Sequence, residues 1–109
     1  MPVCYITLSE EAQNLSDAEV QSIRDIVAAA LDCKSLRLDR THISVRIQHG
    51  RRENMLSQVE IEVFAQVFWQ RLFSRDRRSR EISKNAAMLL GRDCASWITM
   101  GIVGYSHVS

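Results

Sequence analysis

The chain has 109 residues, of which 46% are hydrophobic and 25% charged, proportions that are ordinary for a single folded domain. A formal net charge of +1 argues against a dedicated binder of nucleic acid or of another polyanion. The first 20 residues include four acidic ones, and no apolar run approaches the roughly 18 residues of a membrane helix. We therefore expect a soluble, cytoplasmic protein that has no signal peptide and does not bind membranes.

The cysteines and histidines also bear on location and cofactors. Cys4, Cys33 and Cys94 are odd in number and include no C-x-x-C pair, which is typical of reduced, independent thiols rather than of a disulfide framework. The histidines show no metal-ligand spacing, so we expect no metal site.

The first half of the chain has the pattern strand, helix, strand. Residues Val3 to Leu8 predict a strand that begins almost at the amino terminus. Ser16 and Glu19 have capping-box spacing and predict the start of a helix. Its apolar positions recur at helical spacing: Val20, Ile23, Val27, Ala30 and Leu31. Alternation over Thr41–Gln48 predicts a second strand, with Ile43, Val45 and Ile47 facing one way.

The second half repeats this pattern. Period-two alternation from near Gln58 to Trp69 predicts a long third strand, because Val and Ile dominate its first part. The same segment could instead be helical, because in a helix one face would be shared by Phe64, Phe68 and Leu72. A second helix is predicted over 76–90, with Gly91 as its C-terminal stop, and a fourth strand over 97–103.

The order βαβ then βαβ predicts an α+β fold, with halves of about 1–54 and 55–109 in one domain. A crossover helix implies parallel pairing within each half, giving a four-stranded mixed sheet with two helices on one face. The other face must then meet solvent, a ligand or other subunits. It would carry mostly polar residues: His42, Ser44, Arg46, Gln48, Glu60, Glu62 and Gln66.

Pro2 stands directly ahead of the first strand. A small second residue normally permits removal of the initiator methionine, which would leave the secondary amine of proline at the terminus. An α-amino group titrates near pH ~8 in model peptides, so part of it is already a free base at neutral pH. Nearby cations would lower its pKa further.

With these features the chain resembles the tautomerase superfamily. Its first half is similar to 4-oxalocrotonate tautomerase, because the strand after Pro2, the helix from Ser16 and the segment 41–47 match that enzyme's order. The Ser-Val-Arg of the second strand places Arg46 on a substrate-carboxylate arginine of the family. The loop after the first strand departs from the pattern, because it lacks the arginine that 4-oxalocrotonate tautomerase has there.

The second half looks more like malonate semialdehyde decarboxylase and the cis-3-chloroacrylic acid dehalogenases. Those enzymes have a pair of substrate-binding arginines between the third strand and the second helix. Arg75 matches the first of the pair, and the second is either Arg77 or Arg78. The pair Asp39-Arg40 resembles the aspartate-arginine of the decarboxylase, whose aspartate is catalytic.

The resemblance implies an enzyme that needs no cofactor and assembles as a homotrimer with its sheets facing inward. Pro2 would be the general base, Asp39 a second catalytic group, and the arginines would bind a small 2-oxo or α,β-unsaturated carboxylic acid. Isomerisation, decarboxylation and hydration all stay open, because they differ by only one or two side chains.

Other interpretations compete with this one. The order βαββαβ also describes a ferredoxin-like binding domain, and a tautomerase fold without activity could serve only for assembly or ligand binding. The arginines around position 75 could be a solvated helix face, and Asp39 an ordinary turn residue. Arg46 could pair with Glu60 or Glu62 across the sheet.

Overall fold

A computed structural model describes residues 2–12, 14–32, 37–66 and 74–101 of the chain. Within these residues the strands form one mixed sheet in the order β2, β1, β3, β4. The strands are β1 (Val3–Ser9), β2 (Ser44–Gly50), β3 (Val59–Gln66) and β4 (Cys94–Gly101). β1 pairs in parallel with β2 and antiparallel with β3, and β3 pairs in parallel with β4. Parallel pairing within each βαβ half is confirmed.

Two helices of the described chain, α1 (Asp17–Leu31) and α2 (Arg75–Leu90), pack on the same face of this sheet. The core between the two layers is aliphatic and consists mainly of Cys4, Ile6, Leu8, Ile23, Val27, Val59, Ile61, Val63, Ile82 and Ala86. Burial of each large aliphatic side chain contributes about 1.5–3 kcal/mol, which makes this layer the main source of stability. The predicted α+β class and the placement of both helices on one face are confirmed.

The helix ends follow their sequence signals. The Ser16 hydroxyl accepts from the Glu19 N–H at 3.1 Å, and the Glu19 carboxylate accepts from the Ser16 N–H at 2.9 Å, as a capping box requires. Gly91 ends α2 in the left-handed conformation, with φ of 66°. No helix of the described segments has the length and apolar composition needed to cross a membrane.

The predicted start of the second strand at Thr41 is wrong. The segment Arg40–His42 forms a 3₁₀ turn capped by Asp39, and β2 begins only at Ser44. The Asp39 carboxylate accepts from the Thr41 N–H at 2.8 Å, and this local bond competes with strand pairing. His42 is therefore not a residue of the sheet face.

Three other boundaries differ from the predictions or cannot be compared with them. β4 begins at Cys94, three residues before the predicted start at Trp97, because Gly91 turns the chain directly back to the sheet. The third strand is confirmed from Val59 to Gln66, and its predicted continuation to Trp69 lies outside the described residues, as does the predicted end of β4 at Val103.

One apolar residue on the helix side of the sheet is exposed. Ile47, on the helix side of β2, is 44% exposed, whereas Ile6 beside it on β1 is fully buried. β2 is an edge strand, so the helix layer covers it only in part.

The face of the sheet away from the helices carries polar and aromatic side chains in register. Across the sheet, Arg46 lies beside Tyr5, Tyr5 beside Glu62, and Glu62 beside Trp97. The next row is Gln48, Thr7 and Glu60, in which the Gln48 amide donates to the Thr7 hydroxyl at 2.9 Å. We call the side chains of these two rows the open face.

Replacing Gly91 by alanine should lower the free energy of unfolding by about 1 kcal/mol, because a Cβ disfavours the left-handed conformation. A Cβ at this position would meet no atom within 4 Å, so the cost is conformational and not steric. Gly91→Asn should cost less, since asparagine tolerates this conformation better. Urea denaturation followed by circular dichroism measures both values. Equal stability of wild type and Gly91→Ala would contradict the assignment.

Candidate functional site

Pro2 is buried where β1 begins. Its carbonyl oxygen accepts a hydrogen bond from the Ser44 N–H at 3.1 Å, which joins it to the start of β2. On the other edge of β1, Val3 pairs with Phe64 near the end of β3. Pro2 therefore lies at the end of the sheet where β1 and β2 begin and β3 ends. We call this the proline end.

Arg78 joins the two helices at this end. Its guanidinium donates from Nη1 to the Ala30 carbonyl at 2.6 Å and to the Asp32 carbonyl at 2.9 Å, both at the C-terminal end of α1. Its Nε donates to the Ser74 hydroxyl at 2.7 Å, just before α2 begins. Arg78 is only 8% exposed. The carbonyls at a helix C-terminus lack partners within the helix and carry partial negative charge, so a buried cation is well placed there.

These contacts distinguish Arg78 from its neighbours Arg75 and Arg77, which are exposed in the first turn of α2. Helical geometry separates Arg75 and Arg77 by about 200° around the axis. A carboxylate bonded to both must therefore lie over the end of α2, where the first backbone N–H groups also point. The Ser74 hydroxyl does not cap those N–H groups.

A groove of about 480 Å³ runs between the start of α2 and β4. Arg75, Arg80 and Thr99 are among its lining residues. The groove wall is fixed by a reciprocal pair, in which the Ser79 hydroxyl donates to the Ser96 carbonyl at 2.8 Å and the Ser96 hydroxyl donates to the Ser79 carbonyl at 2.5 Å. Arg75 thus lines a polar groove beside a firmly held helix.

Asp39 is exposed and begins the 3₁₀ turn that leads to β2. Its carboxylate accepts hydrogen bonds from the Thr41 hydroxyl and from the Thr41 N–H. The hydroxyl bond, followed by the backbone bond, holds the pKa of Asp39 below its usual value. Asp39 is therefore an ionised, oriented carboxylate at neutral pH. Asp39 is a turn residue, as one interpretation of the sequence predicted, and the hydrogen bonds of this turn fix the orientation of its carboxylate.

Arg46 is the third residue of β2 and follows Ser44, whose N–H bonds to the Pro2 carbonyl, by two positions. It is exposed on the open face, beside Tyr5 of β1. β1 runs between Arg46 and Glu62, so these two side chains start about 10 Å apart, two strand spacings. The geometry places them as next-nearest neighbours, too far apart for the direct cross-strand pair considered from the sequence.

The topology thus places Pro2, the segment with Asp39 and the start of α2 at the level of the proline end, with Arg46 two residues into β2. Asp32 was missed by the sequence analysis. Its carboxylate accepts from the Leu38 N–H at 2.9 Å, directly before Asp39. An acidic residue after the last turn of a helix opposes the helix dipole, and that anomaly is a signal that could have marked it.

Among the described residues no group of three or more histidine, cysteine, aspartate or glutamate side chains is arranged to hold a metal ion.

Replacing Thr41 by valine should raise the pKa of Asp39 towards its usual value, because it removes the hydroxyl bond that is the largest cause of the shift. The lowered pKa means that this contact stabilises the fold above the pKa of the unfolded chain and is lost as pH falls through the folded value. Carboxyl-carbon NMR titration measures the change, and Thr41→Ser, which keeps the hydroxyl, is the control. An unchanged pKa in Thr41→Val would show that the hydroxyl bond is not the cause.

Solved structures share this fold over nearly the whole chain. A macrophage migration inhibitory factor-like protein from Entamoeba histolytica matches with a TM-score of 0.60 and 13% identity, covering 97% of this chain and 96% of that one. FG41 malonate semialdehyde decarboxylase, inhibited by 3-bromopropiolate, matches with a TM-score of 0.60 and 18% identity, covering 98% and 91%.

A fused 4-OT, described as a wild-type symmetric trimer, matches with a TM-score of 0.57 and 12% identity, covering 90% of this chain and 85% of that one. No family model matches the sequence, and a comparison with curated proteins found no match. The chain therefore has the fold of the tautomerase superfamily, as the sequence resemblance predicted, and identities this low show the fold alone.

Proposed function

We propose that this chain, which has the tautomerase fold, is an isomerase-type enzyme whose general base is the imino nitrogen of Pro2. Removal of Met1 would free that nitrogen. The substrate would be a small 2-oxo or α,β-unsaturated carboxylic acid. The observation that supports the proposal is the topology, which brings the start of β1 with Pro2, the segment with the oriented Asp39 carboxylate and the arginine-rich start of α2 to the same end of the sheet.

The local chemistry of Pro2 supports a base. Its burial at the start of β1 would limit hydration of the protonated amine, and guanidinium groups brought to the same end of the sheet would oppose a further positive charge. Both effects lower the pKa of a terminal amine from about 8, leaving more free base at neutral pH. The neutral nitrogen would take a proton from the enol oxygen or from carbon, then return it elsewhere on the conjugated system, so that the reaction is a net isomerisation.

Arg75 is our choice for the main carboxylate-binding residue, because it lines the groove between α2 and β4. Arg77 is our choice for the second arginine, because the Arg78 guanidinium is bonded to carbonyls of α1. A guanidinium beside the substrate carboxylate would also stabilise the enolate that forms next to it. Arg46 would contribute from the open face of the same or a neighbouring subunit.

Asp39 would supply the second catalytic group. As an ionised carboxylate it would accept a hydrogen bond from the substrate or from a water at the reacting carbon. This role is compatible with decarboxylation and hydration as well as with isomerisation, so Asp39 alone does not distinguish among these reactions.

We further propose that three copies assemble through their sheets. The open face, with Arg46, Glu62 and Trp97, carries charges and an aromatic ring that a neighbouring copy could pair and cover. The similar fused 4-OT is described as a symmetric trimer, which supports the same assembly here. Cytoplasmic location stays a prediction from the sequence.

The ferredoxin-like alternative is not supported by the strand order. That fold places another strand between the strands of each βαβ unit, whereas here β1 is the direct neighbour of β2 and β3 of β4. An inactive protein with the tautomerase fold is the remaining alternative, and activity measurements decide it.

Replacing Pro2 by alanine should slow the enol–keto conversion of phenylpyruvate or 2-hydroxymuconate by at least about 10²-fold, the low end of general-base effects. The rate should be measured on protein whose intact mass shows that Met1 is absent, with circular dichroism as a check on folding. A variant that converts either substrate at the wild-type rate would exclude Pro2 as the base.

Replacing Arg75 by alanine should raise KM for a carboxylate substrate by about 10-fold and lower kcat less, because the lost contact is made in both ground and transition states. Lys84→Ala is the matched control, since Lys84 is an exposed cation farther along the same helix. A neutral ester analogue should show no such change in KM. If the ester suffers equally, Arg75 does not bind the carboxylate.

A further inference from the structure

Asp32 is bonded on two sides, and each side leads to a different part of the proposed site. Its backbone carbonyl accepts from the Arg78 guanidinium of α2 at 2.9 Å. Its carboxylate accepts from the Leu38 N–H at 2.9 Å, one residue before Asp39. A single residue therefore touches both the start of α2 and the segment that carries Asp39.

Arg78 makes the first of these links rigid. The guanidinium is 8% exposed and is bonded to the Ala30 carbonyl, the Asp32 carbonyl and the Ser74 hydroxyl. A buried cation that loses such partners is costly, so its geometry is strongly held. The start of α2, and with it the base of Arg75, is fixed relative to the end of α1.

The second link fixes the backbone before Asp39. The hydrogen bond from the Leu38 N–H to Asp32 is part-buried. The same carboxylate also forms an ion pair with Arg37 at 3.0 Å, but the Arg37 side chain is 74% exposed. Exposed ion pairs contribute little, so of these two contacts the Leu38 bond does more to position the chain.

We infer that Asp32 and Arg78 form a clamp that sets the distance between Asp39 and the arginines at the start of α2. The inference rests on the proposed function, and both residues are positioning residues that do not touch the substrate. In the proposed function Arg75 holds the substrate carboxylate and Asp39 acts at the reacting carbon, so the distance between these two groups matters for the rate. A displacement of about 1 Å at such a site can cost about 10²-fold in rate, so the clamp has a direct kinetic consequence.

The first experiment measures kcat and KM for Asp32→Ala, Asp32→Asn and Arg37→Gln. Asp32→Ala should lower kcat at least about 10-fold while KM changes less than about 2-fold, because the arginines stay in place and only Asp39 moves. Asp32→Asn keeps an amide oxygen for the Leu38 N–H and should recover most of the rate. Arg37→Gln removes only the exposed partner and should match wild type.

A double-mutant cycle separates positioning from a general structural effect. In an Asp39→Asn background, Asp32→Ala should cause little further loss of kcat, because the group it positions is already disabled. Additive losses, or an Asp32→Asn variant as slow as Asp32→Ala, would overturn the clamp. If the wild-type protein has no activity on any carboxylate substrate, the proposed function fails. The clamp is then tested by a measurement that needs no enzymatic activity.

That measurement is amide hydrogen exchange of Leu38. Arg78 does not bond to Leu38, so Arg78→Lys should speed this exchange only through Asp32, and we expect at least a 10-fold increase. Arg77→Lys, an exposed neighbour on the same helix, is the control and should leave the exchange unchanged. An unchanged Leu38 exchange rate in Arg78→Lys would show that the two segments are not coupled, whatever the enzyme does. If Arg78→Lys does not fold, the same measurement on Asp32→Asn and Asp32→Ala decides, with protection retained only in the former.

Discussion

The arrangement of the candidate site depends on the pairing of β1 along both of its edges. Parallel pairing with β2 requires a crossover, so α1 must run back and end at the level where both strands begin. Antiparallel pairing with β3 brings the end of that strand to the same level, and α2 then begins there. Pro2, Asp39 and the arginines of α2 are distant in sequence, and the two directions of pairing of this central strand bring their segments to the same end of the sheet.

The buried guanidinium of Arg78 stabilises this end of the sheet, because it joins the end of α1 to the start of α2. Two helices that end and begin side by side leave unpaired carbonyls of one next to unpaired N–H groups of the other. Arg78 belongs to α2 and donates hydrogen bonds to carbonyls at the end of α1. These bonds join the two βαβ halves in addition to the packing of the aliphatic core. Arg75 and Arg77 remain exposed at the same helix end, where an anion is favoured by the dipole.

Local signals in the sequence were sufficient for much of this fold. The capping box of Ser16 and Glu19 and the stop at Gly91 depend only on residues close in sequence. For this reason α1 begins and α2 ends where the sequence predicts. The start of β2 was misplaced because the hydrogen bonds of Asp39 to Thr41 override the alternation pattern. The buried role of Arg78 depends on carbonyls 46 and 48 residues away, so no local pattern contains it.

The central claim is that the mature chain has a free, basic imino nitrogen at Pro2, and covalent labelling with 3-bromopropiolate followed by intact-mass and peptide analysis tests it most directly. Burial raises the pKa of the Cys4 thiol to about 12 and that of Cys94 to about 11, so these thiols should not compete at neutral pH. The account predicts a chain without Met1 that carries one adduct, located on Pro2. A chain that keeps Met1, or an adduct found only elsewhere, would contradict it.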